Sequence, residues 1–278
     1  MQRVAVGLSL REPWLDDLET LPDRGGFEVL EVMVDDYLCD HGPRRRVRRL
    51  GTRWVLVAHG VALGIGDAAG VDEAYVRDVH AALRALAARW WSDHLAFLRA
   101  GGVDLGHFAP VGDDDETMQT LRRNATAATR GAPCPLLLEN ASDVLGLGAD
   151  GPDAGAKLGR GYRRALEIAD AGSLLDLTNL WIDSQNGGWD PRAWLDAIPL
   201  ERVVQVHLAG GRRARGLWID SHDRAIHDEA LALLAELAPR APNLRAVTLE
   251  WDEDIPPLAA VREELSRATA VLAEAGRR

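Results

Sequence analysis

The chain has 278 residues, 47 % of them hydrophobic, and a formal net charge of −11 at pH 7. That length and apolar content suit one large α/β domain with a substantial core. The acidic balance argues against general nucleic-acid binding, because phosphate neutralisation needs a basic surface, and no run of about eighteen apolar residues offers a membrane span.

Only Cys39 and Cys134 are present, which makes no disulfide framework and points to a reducing compartment. The chain starts directly in a strand-like pattern without the features of a signal peptide, so the expected location is the cytoplasm. The dense basic run Arg44 to Arg49 reads as a solvated face.

Eight short apolar runs recur along the chain: Val4–Leu10, Phe27–Met33, Trp54–His59, Arg89–Leu95, Pro135–Glu139, Leu174–Leu177, Val203–Leu208 and Ala246–Trp251. Continuous apolar character is what a parallel strand buried on both faces requires. Helix-forming segments intervene, among them Val71–Ala88, Leu158–Asp170, His227–Leu237 and Leu258–Ala275. The Gly-rich stretch from Gly146 to Gly161 reads as a loop, and no domain boundary is drawn within 1–278. Eight such units predict a single (β/α)8 TIM barrel. A doubly wound open sheet is the alternative, but Gly64-Ile65-Gly66 with Gly70 lacks the dinucleotide spacing and reads as a turn.

The ends of these runs are polar: Glu31, His59, His94, Glu139, Asp176, His207 and Glu250. Ionisable groups there are costly to bury unpaired, and in a barrel these ends converge on one face. Asp220 and His222 add a pair two residues apart, which in an extended segment project together. The set His59, His94, Glu139, Asp176, His207, Asp220, His222 and Glu250 is too large for one ion, so two or three are expected. Its N/O character suits iron, zinc or manganese.

Taken singly, each residue has a plainer role. A strand-end histidine satisfies a local partner, and a strand-end carboxylate such as Glu139 or Asp176 caps the next helix. His41 reads as loop, His80 and His227 as helical, and His107 as a turn residue able to line the mouth. Core packing is the first explanation for Trp54, Trp90 and Trp194, whereas Trp181, Trp189 and Trp218 follow strands six and seven and could line a peptide-binding mouth.

The motifs Gly7-Leu8-Ser9-Leu10-Arg11, Glu31-Val32, His59-Gly60-Val61, Ser92-Asp93-His94-Leu95, Leu138-Glu139-Asn140, Leu175-Asp176-Leu177-Thr178-Asn179, His207-Leu208-Ala209-Gly210, Asp220-Ser221-His222 and Leu249-Glu250-Trp251-Asp252 together resemble the DUF692 family. These are the multinuclear non-haem iron-dependent oxidative enzymes, relatives of the methanobactin biosynthesis enzyme MbnB. The resemblance spans nearly the whole chain and implies a xylose-isomerase-like barrel holding two or three irons, mixed Fe(II)/Fe(III). It implies the eight ligands named above, with Arg11, Glu31, Asp36, Asn140 and Asn179 supporting the ligands or contacting substrate. It further implies dioxygen as co-substrate, oxidation of cysteine in a ribosomal precursor peptide, and a separate partner protein that recruits the leader. The chain departs from the family pattern at Glu12-Pro13-Trp14, at Asp35-Asp36-Tyr37 and at Asp183, where Asn is common. A zinc, manganese or magnesium hydrolase or isomerase on the same barrel, and a non-catalytic metal-dependent peptide- or protein-binding module, are the competing expectations.

Overall fold

The computed structural model describes residues 3–38, 41–143 and 151–277; Cys39 and positions 146–150 of the Gly-rich stretch lie outside them. The eight apolar runs form the strands of a closed parallel barrel: β1 (Ala5–Ser9), β2 (Val29–Met33), β3 (Val55–His59), β4 (Trp91–His94), β7 (Leu136–Glu139), β8 (Gly172–Asp176), β9 (Val203–Leu208) and β12 (Ala246–Leu249), with β12 returning to β1. Two short antiparallel hairpins interrupt the regular alternation: β5 (Ala96–Ala100) with β6 (Val103–Pro110), and β10 (Arg212–Ala214) with β11 (Leu217–Ile219).

The helices are α1 (Leu15–Thr20), α2 (His41–Leu50), α3 (Glu73–Leu86), α4 (Asp115–Thr129), α5 (Ala154–Ala169), α6 (Leu177–Gly187), α7 (Pro191–Ala197), α8 (Asp228–Leu237) and α9 (Leu258–Glu274). Asp72 and Asp114 cap α3 and α4 by accepting backbone N–H bonds of the first turn. The Gly-rich stretch is therefore only partly a loop, since 154–161 is helical: Gly155 and Gly159 lie where a Cβ would meet the Asp190 and Trp194 carbonyls, so these glycines serve close packing of α5 on α7. The basic run lies on α2, where Arg46 and Arg49 pair with Glu19. Among the described residues no helix is long and apolar enough to cross a membrane.

Strand side chains alternate between two environments. Outward-facing residues such as Leu30, Leu56, Leu138, Val206 and Leu249 join the helices in one large apolar cluster. A separate small cluster, Val29, Val57 and Ala246 with Ala5 and Trp90 against it, closes the floor of the barrel. Above that floor the interior turns polar. Gln205 donates to Glu31 and to Thr248 Oγ1 (2.9 Å) and accepts from Trp90 Nε1 (2.5 Å).

Candidate metal centre

The inward alternation that places Val57 and Leu137 low in the barrel places His59 and Glu139 two residues higher, at the mouth. Parallel register sets their neighbours beside them: His94 aligns with Glu139, and Asp176 with His207. Glu250 follows directly on β12. His59, Glu139, Asp176, His207 and Glu250 are all buried, and His94 is partly so.

Glu139 is the hub. Its Oε2 stands 3.4 Å from His59 Nε2 and 3.5 Å from His94 Nε2, while Oε1 lies 3.1 Å from His207 Nδ1. Ligand-capable atoms fall into two groups, each within 4.8 Å: His59, His94 and Glu139, and Glu139, Asp176, His207 and Glu250. A third assembly forms around His222, whose Nε2 is 2.6 Å from Asp220 Oδ1 and 3.9 Å from Asp176 Oδ2. The hairpin β10–β11 delivers this pair, but not as an extended segment: His222 adopts a positive φ of 45°. That turn, rather than a two-residue alternation, brings its ring back onto Asp220.

Glu139 Oε2 and Asp176 Oδ2 are buried and lack a hydrogen-bond partner. Buried polar atoms are rarely left so, and here they face one another across a common space. Imidazole and carboxylate donors converging on one space fit divalent or trivalent first-row metal ions. Asp176 also has the plainer role expected of it: Oδ1 caps α6 by accepting from Asn179 N–H (2.7 Å), leaving Oδ2 for the centre.

The electrostatics carry the same message. Burial, and then the neighbouring His207, push the His59 imidazole down to about 3, and burial likewise lowers His94. Burial raises Glu139 to about 7 and lifts Asp176 well above the carboxylate range. Burial opposes charge on His207 and His222, yet Glu250, Glu31 and Glu139 around the first, and Asp220 and Asp252 around the second, outweigh it and raise both. Ligation by Glu139, Asp176, His207 and His222 would displace the protons that these shifts favour.

Asn140 exchanges two 2.9 Å hydrogen bonds with the backbone of Asp176 and fixes that strand end. Asn179, with its carboxamide nitrogen turned toward Asp220, donates to both carboxylate oxygens. Glu31 is buried and accepts from His207 Nε2 at 2.9 Å, leaving Nδ1 toward the centre. Arg11 pairs with Asp252 and lies 4.0 Å from Glu250. Asp36 is not brought in: it is exposed on a 3-10 turn, and its neighbour Asp35 instead accepts from Val61 N–H behind His59.

Four contributors were not singled out from sequence. Asp252 holds His222 Nδ1 at 3.1 Å, Ser92 holds His59 Nδ1 at 2.9 Å, Phe108 stacks on His94 at 3.8 Å, and Gln205 supports Glu31. The available signal was period two: Ser92, Gln205 and Thr248 each stand two residues before a strand-end ligand candidate. A cavity of about 270 Å³ opens over the centre, bordered by His59, His94, Glu139, His222 and Glu250 and by His107 and Phe108 of β6.

Residues 5–273 match the family described as RiPP precursor modification enzyme MbnB/TglH/ChrH, RiPP denoting a ribosomally made and then modified peptide. The chain belongs to this family. A UPF0276 protein of Caulobacter vibrioides is 33 % identical over 279 residues, covering 98 % of this chain and 95 % of the relative. Another, of Streptomyces avermitilis, is 30 % identical over 99 % of this chain, which spans only 56 % of that longer relative. Among solved structures, a xylose isomerase domain protein of Alicyclobacillus acidocaldarius aligns with a TM-score of 0.60 at 16 % identity, covering 99 % of this chain and all of the other. Endonuclease IV of Thermus thermophilus aligns at 0.58 and 17 % identity, covering 97 % and 99 % of the two chains. At such identities the likeness is one of fold alone, and it is that of the xylose-isomerase-like TIM barrels.

Proposed function

We propose that this family member is a multinuclear iron-dependent, dioxygen-using oxidoreductase of the cytoplasm that modifies a ribosomally synthesised precursor peptide at cysteine. The observation that carries this reading is the match to the precursor-peptide modification family over residues 5–273, and the placement of Glu139 in both ligand-capable groups fits a centre of more than one ion. His59, His94, Glu139, Asp176, His207, Asp220, His222 and Glu250 are the residues that would hold two or three irons. Bound iron would supply the one-electron and dioxygen chemistry that side chains lack.

The chain's own contribution is arrangement. Glu31 and Ser92 orient His207 and His59, each by occupying the ring nitrogen turned away from the centre, and Asp252 orients His222 through its Nδ1. Phe108 walls one side and limits water around His94. The opening over the centre admits a side chain rather than a folded protein, in keeping with a flexible peptide as substrate and a separate protein that recruits its leader.

Metal content after anaerobic production with iron, together with Mössbauer spectra and dioxygen uptake on adding a cysteine-bearing peptide, tests the reading. Two or more irons per chain and cysteine-dependent uptake are expected. Zinc or manganese retained in preference to iron, with no dioxygen uptake, would replace it with the hydrolase or isomerase reading.

A further inference from the structure

The hairpin β10–β11, which leads directly into Asp220 and His222, is tied to the barrel through both of its strands. On β11, the Asn186 carboxamide exchanges two 2.9 Å hydrogen bonds with the backbone of Trp218. On β10, Arg212 pairs with Asp223 at 3.0 Å. At the base, Gly211 N–H donates at 2.8 Å to His227 Nε2. Gly211 directly precedes β10, and its place against β11 needs the missing side chain. A Cβ there would lie 2.6 Å from the carbonyl oxygen of Ile219, the residue before Asp220, and 2.8 Å from Ile182 Cδ1. The imidazole therefore braces the point where the hairpin closes and the ligand pair begins.

His227 occupies the N-cap position of α8, yet its side chain makes no capping hydrogen bond there. The ring turns instead toward α6 and the hairpin, with ring centres 4.5 Å from Trp181 and 5.2 Å from Trp218. A ring nitrogen that accepts an N–H carries no proton, so the neutral ring holds its hydrogen on Nδ1. Burial favours that neutral form, Glu229 and Asp228 oppose it, and Arg224 supports it. Protonation would set two N–H groups against each other and break the bond. Among these ties, the one at His227 alone has an imidazole as its acceptor.

We propose that His227 is a positioning residue of the metal centre: by accepting from Gly211 N–H it holds the base of the hairpin that delivers Asp220 and His222, and it does so only as the neutral ring. It acts through Gly211 and ligates nothing itself. The inference rests on the reading of Asp220 and His222 as metal ligands in the function proposed above.

Reciprocity supplies the test: if the neutral ring strengthens metal binding, bound metal must lower the proton affinity of His227 by the same factor. NMR titration of the ring in the full chain, metal-free and with Zn(II) as a diamagnetic probe, should give a midpoint lower by about one pH unit with zinc. That shift corresponds to roughly tenfold, the low end for residues that support ligands. His107 lines the cavity over the centre and reports the direct charge of the ion, so it should shift less. His227→Phe keeps a ring between the tryptophans and removes the acceptor, whereas His227→Gln offers a carboxamide oxygen. At about pH 7.5 the Phe variant should bind Fe(II) about tenfold more weakly than wild type, and the Gln variant should recover most of the loss. The ratio of wild type to the Phe variant should shrink toward one near about pH 5, because protons on the ligands weaken both chains alike. An unshifted midpoint, a shift smaller than that of His107, or a ratio constant with pH would each overturn the assignment. Reciprocal zinc binding without cysteine-dependent dioxygen uptake would keep the role of His227 and sink the oxidase; uptake with an unshifted His227 would do the reverse.

Discussion

At the floor of the barrel Val29, Val57 and Ala246 meet over Trp90 in a dry cluster; two residues further along the same strands stand Glu31, His59 and Thr248, all buried and all polar. The backbone geometry is the same in both layers, and only the side-chain chemistry changes. The floor contributes apolar burial and seals the barrel from below. The mouth contributes buried ionisable groups, whose desolvation costs stability. A centre open at one end and sealed at the other receives metal and substrate from one direction. The layers are therefore separable, and substitutions should affect either metal or stability.

The largest effect is expected at the hub. Glu139→Gln keeps the shape and removes the charge shared by the two ligand groups. Metal bound at both should fall, and dioxygen uptake with a cysteine peptide should drop by about 100-fold or more, beyond the 10–100-fold typical for groups that merely support ligands. Metal analysis of the purified variant decides it. A full metal complement in Glu139→Gln would break the idea of a shared ligand.

A smaller loss is expected one step out. Asp252→Asn leaves every proposed ligand in place but weakens the hold on His222 Nδ1 and on Arg11. Metal affinity should fall about 10–100-fold, with a changed Mössbauer signature for one iron only. Unchanged affinity would mean that Asp252 shapes the mouth without supporting His222.

Proton release separates the layers next. Burial raises Glu139 to about 7 and raises Asp176, while surrounding carboxylates overcome burial to raise His207. Each must lose its proton to ligate, so binding releases protons and affinity rises with pH, by roughly tenfold per pH unit for each proton released. His59, already neutral because burial lowers it to about 3, adds nothing over this range. Anaerobic Fe(II) titrations from pH 5.5 to about 7.5 should steepen toward acid. Affinity falling as pH rises would contradict the protonation pattern.

The layering also explains what the sequence revealed. All eight barrel strands were legible because apolar runs ending in His, Glu or Asp satisfy two constraints at once, burial on the helix side and convergence at the mouth. The hairpins were not, since Val103–Pro110 is largely exposed and carries no burial pattern; its Gly106-His107-Phe108 reads equally as a turn. Asp220 and His222 were legible as a pair, but not the left-handed backbone at His222 that joins them. Asp252 escaped because it lies beyond the strand end, where period two no longer holds. The 3-10 turn after β2 leaves Asp36 exposed and turns Asp35 toward Val61 N–H, a difference of one position that no strand pattern carries. Tertiary geometry settled each of these.

The smallest effect should come from the floor. Val57 is fully buried in the inner cluster, two residues below His59. Val57→Ala removes two methyl groups from a site far from solvent and should cost about 1–2 kcal/mol of unfolding free energy, read from urea denaturation. Since Ser92, not Val57, holds the His59 ring, metal content and affinity should stay at wild-type levels. If Val57→Ala also loses metal, then floor packing transmits to the ligands along β3, and the two layers act as one mechanical unit. If both layers respond as expected, the barrel separates the job of staying folded from the job of holding charge, strand by strand and two residues apart.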